Sequence, residues 1–246
     1  MIEFRDVHKS FGDRPVLQGL SFHVRKGESY VIMGPSGSGK STTLLHMVGV
    51  HRADRGRVLV QGIDVADAGI EELTALRQRI GMVFQGGALL NWLNVYDNVA
   101  LPLRETRSLP EAEVKERVEE AIKLVWLWSD REKLPSELSG GMRKRVGLAR
   151  AIVTRPEIIL YDEPTAGLDP AMSLQIDHLI LDMKRRLGVT SVVVTHDIPC
   201  ATRVGDRIGI ISGGRIDVEG DPGILDSRDP CVLRFLGHGS IPGDVR

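Results

Sequence analysis

The chain is short of cysteine and aromatics, has no surplus of either charge, and contains no long apolar run. Its two cysteines, Cys200 and Cys231, form neither a CxxC pair nor a disulfide framework, which reads as free thiols in a reducing compartment. Lysine and arginine number 32 against 33 acidic residues, for a net charge of −1. A dedicated nucleic-acid binder carries a basic excess, so that class loses ground and no nucleic-acid partner is expected. No apolar stretch approaches the ~20 residues that a membrane-spanning helix needs. The N-terminal MIEFRDVHKSF carries charges where a signal peptide would need an apolar core. Any service to a membrane would therefore run through a partner. The seven histidines show no metal-ligand spacing. What is present in quantity is ordinary: 42% hydrophobic residues over 246 positions, enough to build a core.

Along the chain, MIEFRDVHKSF, LSFHVRKG and RVLVQGIDV cluster β-formers between turn residues, which predicts an antiparallel β portion near the N-terminus. SYVIMG is a short buried-strand pattern that runs into a glycine-rich turn and a helix, KSTTLLHMVGV. EIILYDEP, TSVVVTHD and RIGIISGG are further apolar strand cores with helical segments between them. That alternation predicts an α/β fold with a mostly parallel sheet. Between 86 and 139 the texture changes. PEAEVKERVEEAIKLVW puts Val114, Val118, Ala121, Ile122 and Val125 on one helical face behind Pro110, and no strand pattern interrupts the stretch. The expected organisation is one domain over 1–246, with a core of 1–85 and 140–246. A helical subdomain over 86–139 would be inserted into it, its last helix continuing to about 154.

GPSGSGKST fits the phosphate-loop pattern GxxxxGK[ST] and sits between an expected strand and an expected helix. Gly34, Pro35, Ser36, Gly37, Ser38, Gly39, Lys40, Ser41 and Thr42 are accordingly the candidate nucleotide-binding residues. Glycines let backbone N–H groups close around phosphate oxygens, Lys40 should reach the β- and γ-phosphates, and the Ser41 hydroxyl should ligate Mg²⁺. A nucleotide-hydrolysing site needs a second carboxylate. At the end of the strand EIILYDEP, Asp162 can hold the metal, and Glu163 is placed to polarise an attacking water.

A second anion cradle lies farther on. LSGGMRKRVGLARAI opens a cationic, helix-patterned run with a serine and two glycines. Met142, Val146, Ala149 and Val153 make its apolar stripe, and the charge run Arg143–Lys144–Arg145 is expected to face solvent.

With these residues in hand, the chain resembles the ATP-binding subunits of ABC transporters along nearly its whole length. LSGGM is similar to the family signature, Gln85 in MVFQGG to its Q-loop glutamine, AGLD ending at Asp169 to its D-loop, and His196 in VVVTHD to its switch histidine. Phe11 falls where the family stacks an aromatic ring on adenine. Taken singly, each has a plainer alternative: Gln85 a polar residue after a strand, His196 a strand-end histidine, Phe11 a core ring, Asp169 a helix N-cap.

The resemblance implies ATP and Mg²⁺, with Glu163, His196 and Gln85 catalytic and Ser41, Asp162 and Gln85 around the metal. It also implies a head-to-tail pair of copies, in which Ser139, Gly140 and Gly141 of one close on the γ-phosphate held by Lys40 of the other. Residues 86–105, with apolar Ala88, Leu89, Leu90, Trp92 and Leu93, would dock a membrane permease. That would place the protein peripherally on the cytoplasmic face of an inner membrane. This stretch, the signature with Met142 in place of the usual glutamine, and the tail DPCVLRFLGHGS resemble the Mla/Mce-type lipid-transport ATPases. The likeness implies a phospholipid cargo, an MCE-domain carrier and, in some systems, a STAS-domain regulator. Two alternatives stay open: an importer ATPase for amino acids or other small solutes, and a non-transport ABC ATPase.

Overall fold

Alternating apolar and polar residues over Ile2–Phe11 (β1) and Arg14–Val24 (β2) make an antiparallel hairpin whose inward side chains include Ile2, Phe4, Leu20 and Phe22. The pairing slips between Phe4 and Val7, where Asp6 takes a left-handed φ of 48° and its N–H bonds Ser21 Oγ at 2.9 Å. Ser29–Met33 (β3) is buried at every position, as a strand covered on both faces must be. It leads into helix Lys40–Met47 (α1). Arg55–Val60 (β4) and the short Ile63–Asp64 (β5) complete an antiparallel sheet of order β2-β1-β4-β5.

This computed structural model describes residues 1–106 and 109–237. Its contacts divide the chain into two compact units, one of 1–69 with 192–246 and one of 70–191.

The second unit begins with Ile70–Gln78 (α2) and Ile80–Val83 (β6), followed by Val95–Thr106 (α3) and Glu111–Leu124 (α4). Pro110 supplies the extended residue before α4, and Val114, Val118, Ala121, Ile122 and Val125 are all buried along the expected stripe. Each such aliphatic side chain contributes about 1.5–3 kcal/mol of burial. Half-buried pairs one helical turn apart such as Arg117–Glu113 add a few tenths of a kcal/mol. Two single 3₁₀ turns precede Gly140–Ile152 (α5), which packs against α3, α4 and β6. Ile158–Asp162 (β7) runs parallel to β6, and Pro170–Leu187 (α6) follows. The division of the chain into units falls inside Thr190–Thr195 (β8).

In the first unit the chain resumes with Ile198–Val204 (α7), Arg207–Ser212 (β9), Arg215–Gly220 (β10) and Pro230–Phe235 (α8). Strand β9 is parallel to β3, with Tyr30 opposite Arg207 and Met33 opposite Ile210, and β10 is antiparallel to β9. The fold is therefore α/β, with an antiparallel sheet and a mostly parallel one. Between 86 and 139 the described residues form the helices α3 and α4 and no strand, and these helices belong to one compact unit with β6, β7 and α5. Residues 238–240, the end of the DPCVLRFLGHGS stretch, lie outside the described residues.

One solvent-facing expectation is overturned. Lys144 is buried, and every basic side chain of α5 donates to a main-chain carbonyl. Arg143 Nη1 reaches Leu138 O at 2.6 Å and Lys144 Nζ reaches Glu163 O at 3.1 Å. Arg145 Nη1 reaches Val125 O at 3.3 Å, and Arg150 reaches Ala88 O and Gly87 O, both at 2.8 Å. The reason is packing. α5 is enclosed on most of its circumference, so long cationic side chains lie along it and satisfy carbonyls that loops would otherwise leave bare.

Two predictions follow from buried polar groups. Asn98 is fully buried on α3. Its Oδ1 accepts from Leu90 N at 2.8 Å, while Nδ2 is shared among Leu90 O (3.1 Å), Leu93 O (2.9 Å) and Asn94 O (3.0 Å). Asn98→Ala strands several partly buried backbone groups and should cost about 2–3 kcal/mol, read as a melting temperature roughly 4–12 °C lower. An unchanged melting curve would contradict this. His46 is buried on α1, where Nδ1–H donates to Thr42 O at 2.8 Å, and burial holds its pKa below the ordinary 6.5. The unfolded chain therefore takes up a proton below about pH 6.5 that the folded chain resists, so this contribution is complete above that pH and shrinks as pH falls. His46→Gln should flatten the fall in melting temperature between about pH 7 and pH 5.5. An equal slope in both proteins would contradict it.

Candidate functional site

In the first unit, β3 stops at Met33 and the loop 34–39 carries the chain into α1. Gly39 takes a left-handed φ of 100° at the N-cap, where a Cβ would lie 2.8 Å from Leu17 Cδ2, so only glycine meets both demands. With no side chain capping α1, its first N–H groups are turned to the loop as anion donors. Lys40 folds back over the loop: its buried Nζ donates to Gly34 O at 2.8 Å and Pro35 O at 3.0 Å. Thr43 closes the first turn by bonding Gly39 O through both its N–H and its hydroxyl. Pro35, Ser36 and Gly37 stay exposed on the outer side of the loop, Ser38 is half-buried, Ser41 is exposed and Thr42 half-buried.

Two other expected residues share this unit. His196 is exposed immediately after β8 and lines a cavity of about 190 Å³ with Gly34, Pro35, Ile211, Cys231 and Phe235, so the loop's first residues and His196 border one space. Phe11 ends β1 with 45% of its surface exposed, too open for a core ring. His51 meets it edge-on at 5.0 Å between ring centroids, and Lys9 Nζ lies 5.5 Å from its centroid. Lys9 is itself held by Asp54 at 2.7 Å.

The second unit holds the remaining candidates. Gln85 is exposed two residues beyond β6. Asp162 is the last residue of β7, and Glu163, 9% exposed, follows with a left-handed φ of 48°. Ser139 caps α5 by accepting from Met142 N at 3.3 Å, which leaves its hydroxyl proton free to donate outward. Gly140 is exposed, and a Cβ there would meet nothing closer than 3.9 Å. Gly141 is different: it is buried, and a Cβ would press on the tip of Met172. Asp169 is the N-cap of α6, accepting from Met172 N at 2.9 Å. Met142 is half-buried, while Val146, Ala149 and Val153 are buried.

Sequence reasoning missed Lys144, Arg150, Asn98 and His46. Lys144 stands at i+3 from Gly141 and i−4 from Leu148, so helical spacing alone placed it on a second buried face. Among the described residues no group of three histidine, cysteine or acidic side chains is arranged to hold a metal ion, and no helix is long and apolar enough to cross a membrane.

Residues 17–166 match the family described as ABC transporter. The chain is 40% identical over 244 residues to the probable ribonucleotide transport ATP-binding protein mkl of Mycobacterium leprae, spanning 99% of this chain and 70% of that protein. It is 43% identical over 249 residues to the methionine import ATP-binding protein MetN of Caulobacter vibrioides, spanning 100% and 74%. Among solved structures, it matches the ATP-binding cassette MJ0796, a dimer in a post-hydrolysis state bound to ADP and Pi. The TM-score is 0.83 and the identity 35%, over 90% of this chain and 99% of that one. It also matches cbiO1 of Clostridium perfringens, part of the ABC transporter complex cbiONQ, with a TM-score of 0.84 and 30% identity over 96% and 94%. The chain thus belongs to the ABC transporter family as one of its ATP-binding, ATP-hydrolysing subunits.

Proposed function

We propose that two copies of this chain bind two ATP head to tail and drive a membrane permease whose cargo is a phospholipid. The single observation that carries the shared-site reading is the open face of the α5 N-terminus. Gly140 has room for a ligand to approach its backbone, and the Ser139 hydroxyl proton is uncommitted although the residue already caps the helix. A helix start with such groups attracts an oxyanion. The MJ0796 cassette is a dimer in the structure it matches, which supports the pairing.

In this reading the loop backbone and Lys40 hold the β- and γ-phosphates, and Phe11 supplies a face for the adenine. Glu163 polarises the attacking water, with Gln85 and His196 sensing the γ-phosphate. Asp169 would stand at the seam between the copies. Ser41 and Asp162 offer the hard oxygen donors that Mg²⁺ prefers; bound there, the ion would neutralise charge between the phosphates. Ser139, Gly140 and Gly141 of the opposite copy complete the site. Charge-assisted hydrogen bonds of about 1.5–3 kcal/mol each, repeated over two nucleotides, would close the pair. Loss of the γ-phosphate would release it.

The docking reading rests on exposure. Trp92 is 75% exposed and Phe84 and Ala88 are also exposed, which is costly unless a partner covers them. Of these, Phe84 also lines a groove of about 590 Å³ together with Met82, Leu101, Pro102 and Arg150 among others. We assign it to a cytoplasmic helix of the permease, which would place the chain on the cytoplasmic face of the membrane. The phospholipid cargo, an MCE-domain carrier and a STAS-domain regulator rest on the likeness of residues 85–105, the signature and the tail to Mla/Mce-type ATPases. A second reading, a small-solute importer, is favoured by the likeness to MetN.

Glu163→Gln should cut kcat by about a hundredfold or more while preserving ATP binding. Light scattering after size exclusion with ATP and Mg²⁺ should then show a persistent dimer. A variant that stays monomeric with every nucleotide would contradict the shared site. Affinity isolation of the native complex from membranes tests the cargo. Co-purified phospholipid with an MCE-domain protein is expected, and a solute-binding protein without lipid would establish the importer.

A further inference from the structure

Six non-glycine residues take left-handed backbone among those described: Asp6, Gln61, Ala88, Trp126, Arg155 and Glu163. Two of them, Ala88 and Glu163, have their carbonyls gripped by cations of the same helix, α5. A non-glycine residue in that region carries steric strain and persists only where its surroundings hold it. At Glu163 the carbonyl accepts from Ala166 N–H at 3.2 Å within the turn and, from outside it, from the Nζ of buried Lys144 at 3.1 Å. The helix bearing Lys144 is stiffly seated. Arg150 fastens it to the loop after Gln85 through two 2.8 Å bonds, and Gly147 lets that loop's backbone come in so closely that a Cβ would lie 3.2 Å from Gly87 Cα.

We infer that Lys144 is a positioning residue for hydrolysis: by gripping the main-chain carbonyl of Glu163 it fixes the turn that aims the Glu163 carboxylate, and it ties that aim to the helix whose N-terminus carries Ser139. The inference deepens the proposed function and rests on Glu163 being the water-polarising carboxylate. The hydrogen bond is to the backbone and does not itself occupy the carboxylate. A cation so placed also offsets part of the cost of a buried carboxylate. Catalytic geometry tolerates displacements of well under an ångström, so a turn released by one bond loses rate before it loses substrate.

The test is steady-state ATP hydrolysis by the full chain carrying Lys144→Met, which keeps length and removes the donor. The expected result is kcat lower by about ten- to a hundredfold with KM for ATP within about twofold, and partial recovery in Lys144→Arg. In a Glu163→Gln background, Lys144→Met should leave the residual rate unchanged, because the group it positions is already gone. Wild-type kcat in Lys144→Met, or kcat and KM changing together with a lower melting temperature and no recovery in Lys144→Arg, overturns the positioning role. If Lys144→Met does not fold, Lys144→Leu, which also removes the donor, is measured against the same criteria. Retention of full activity by Glu163→Gln itself would instead remove the reading of Glu163 on which the inference stands, so the two failures are told apart.

Discussion

The chemistry of this chain depends on what happens where a buried parallel strand ends. Every side chain of β3 from Ser29 to Met33 and of β7 from Ile158 to Tyr161 is enclosed, and each strand is paired in parallel with a neighbour. At the strand's C-terminal end the pairing stops, and the next residues must find other partners or face solvent. After β3 those residues are a glycine-rich loop and an uncapped helix start, which hold out N–H donors. After β7 they are two carboxylates. The same constraint leaves donors after β3 and, separately, acceptors at the end of β7, the kind of strand end at which ligands of α/β folds gather.

Holding such strand ends in place is the work of α5. Its four cations, taken one at a time in the sequence, look like a solvated face. In the folded chain each satisfies a carbonyl belonging to a loop that has left its strand or helix: 87 and 88 after β6, 125 after α4, 138 before α5 itself, 163 after β7. Burial lowers the pKa of Arg145 and Arg150 from the ordinary guanidinium value, a sign that enclosure outweighs neighbouring acids there. Neutral donors would make weaker bonds to the same carbonyls, and shorter side chains would not reach them. A helix that looks like an anion site at its N-terminus is, along its length, a clasp for four chain segments.

The two levels of structure differ in how legible they were. Strand and helix patterns at β1, β3, β7, β8, β9 and α4 follow from periodicity and burial, which are local properties, and the phosphate loop follows from a spacing that only glycine can occupy. The hydrogen bond between Lys144 and Glu163 joins residues 19 apart across a turn of left-handed backbone, and no local pattern encodes it. Gly140 and Gly141 make the same point at closer range. As neighbouring letters they read as one motif, yet one faces open space and the other is packed against Met172, so the pair divides into a surface glycine and a core glycine.

The segment after Gln85 shows how a fold keeps apolar side chains outside. Left to itself, a loop containing Ala88, Leu89, Leu90, Trp92 and Leu93 would collapse inward. Asn98 prevents this by meeting Leu90 through both its N–H and its carbonyl, and Leu93 and Asn94 through their carbonyls, from a position inside the unit. The loop's backbone is thus bound to the core while its side chains project, with Leu89, Leu90 and Leu93 half-buried and Trp92 largely in solvent. A fully satisfied buried amide is stable only in one register, so the projecting side chains have a fixed origin. Arg150 then binds the same loop at Gly87 and Ala88 to the helix that reaches Glu163. A push on Trp92 would therefore be resisted by bonded backbone rather than absorbed by slack.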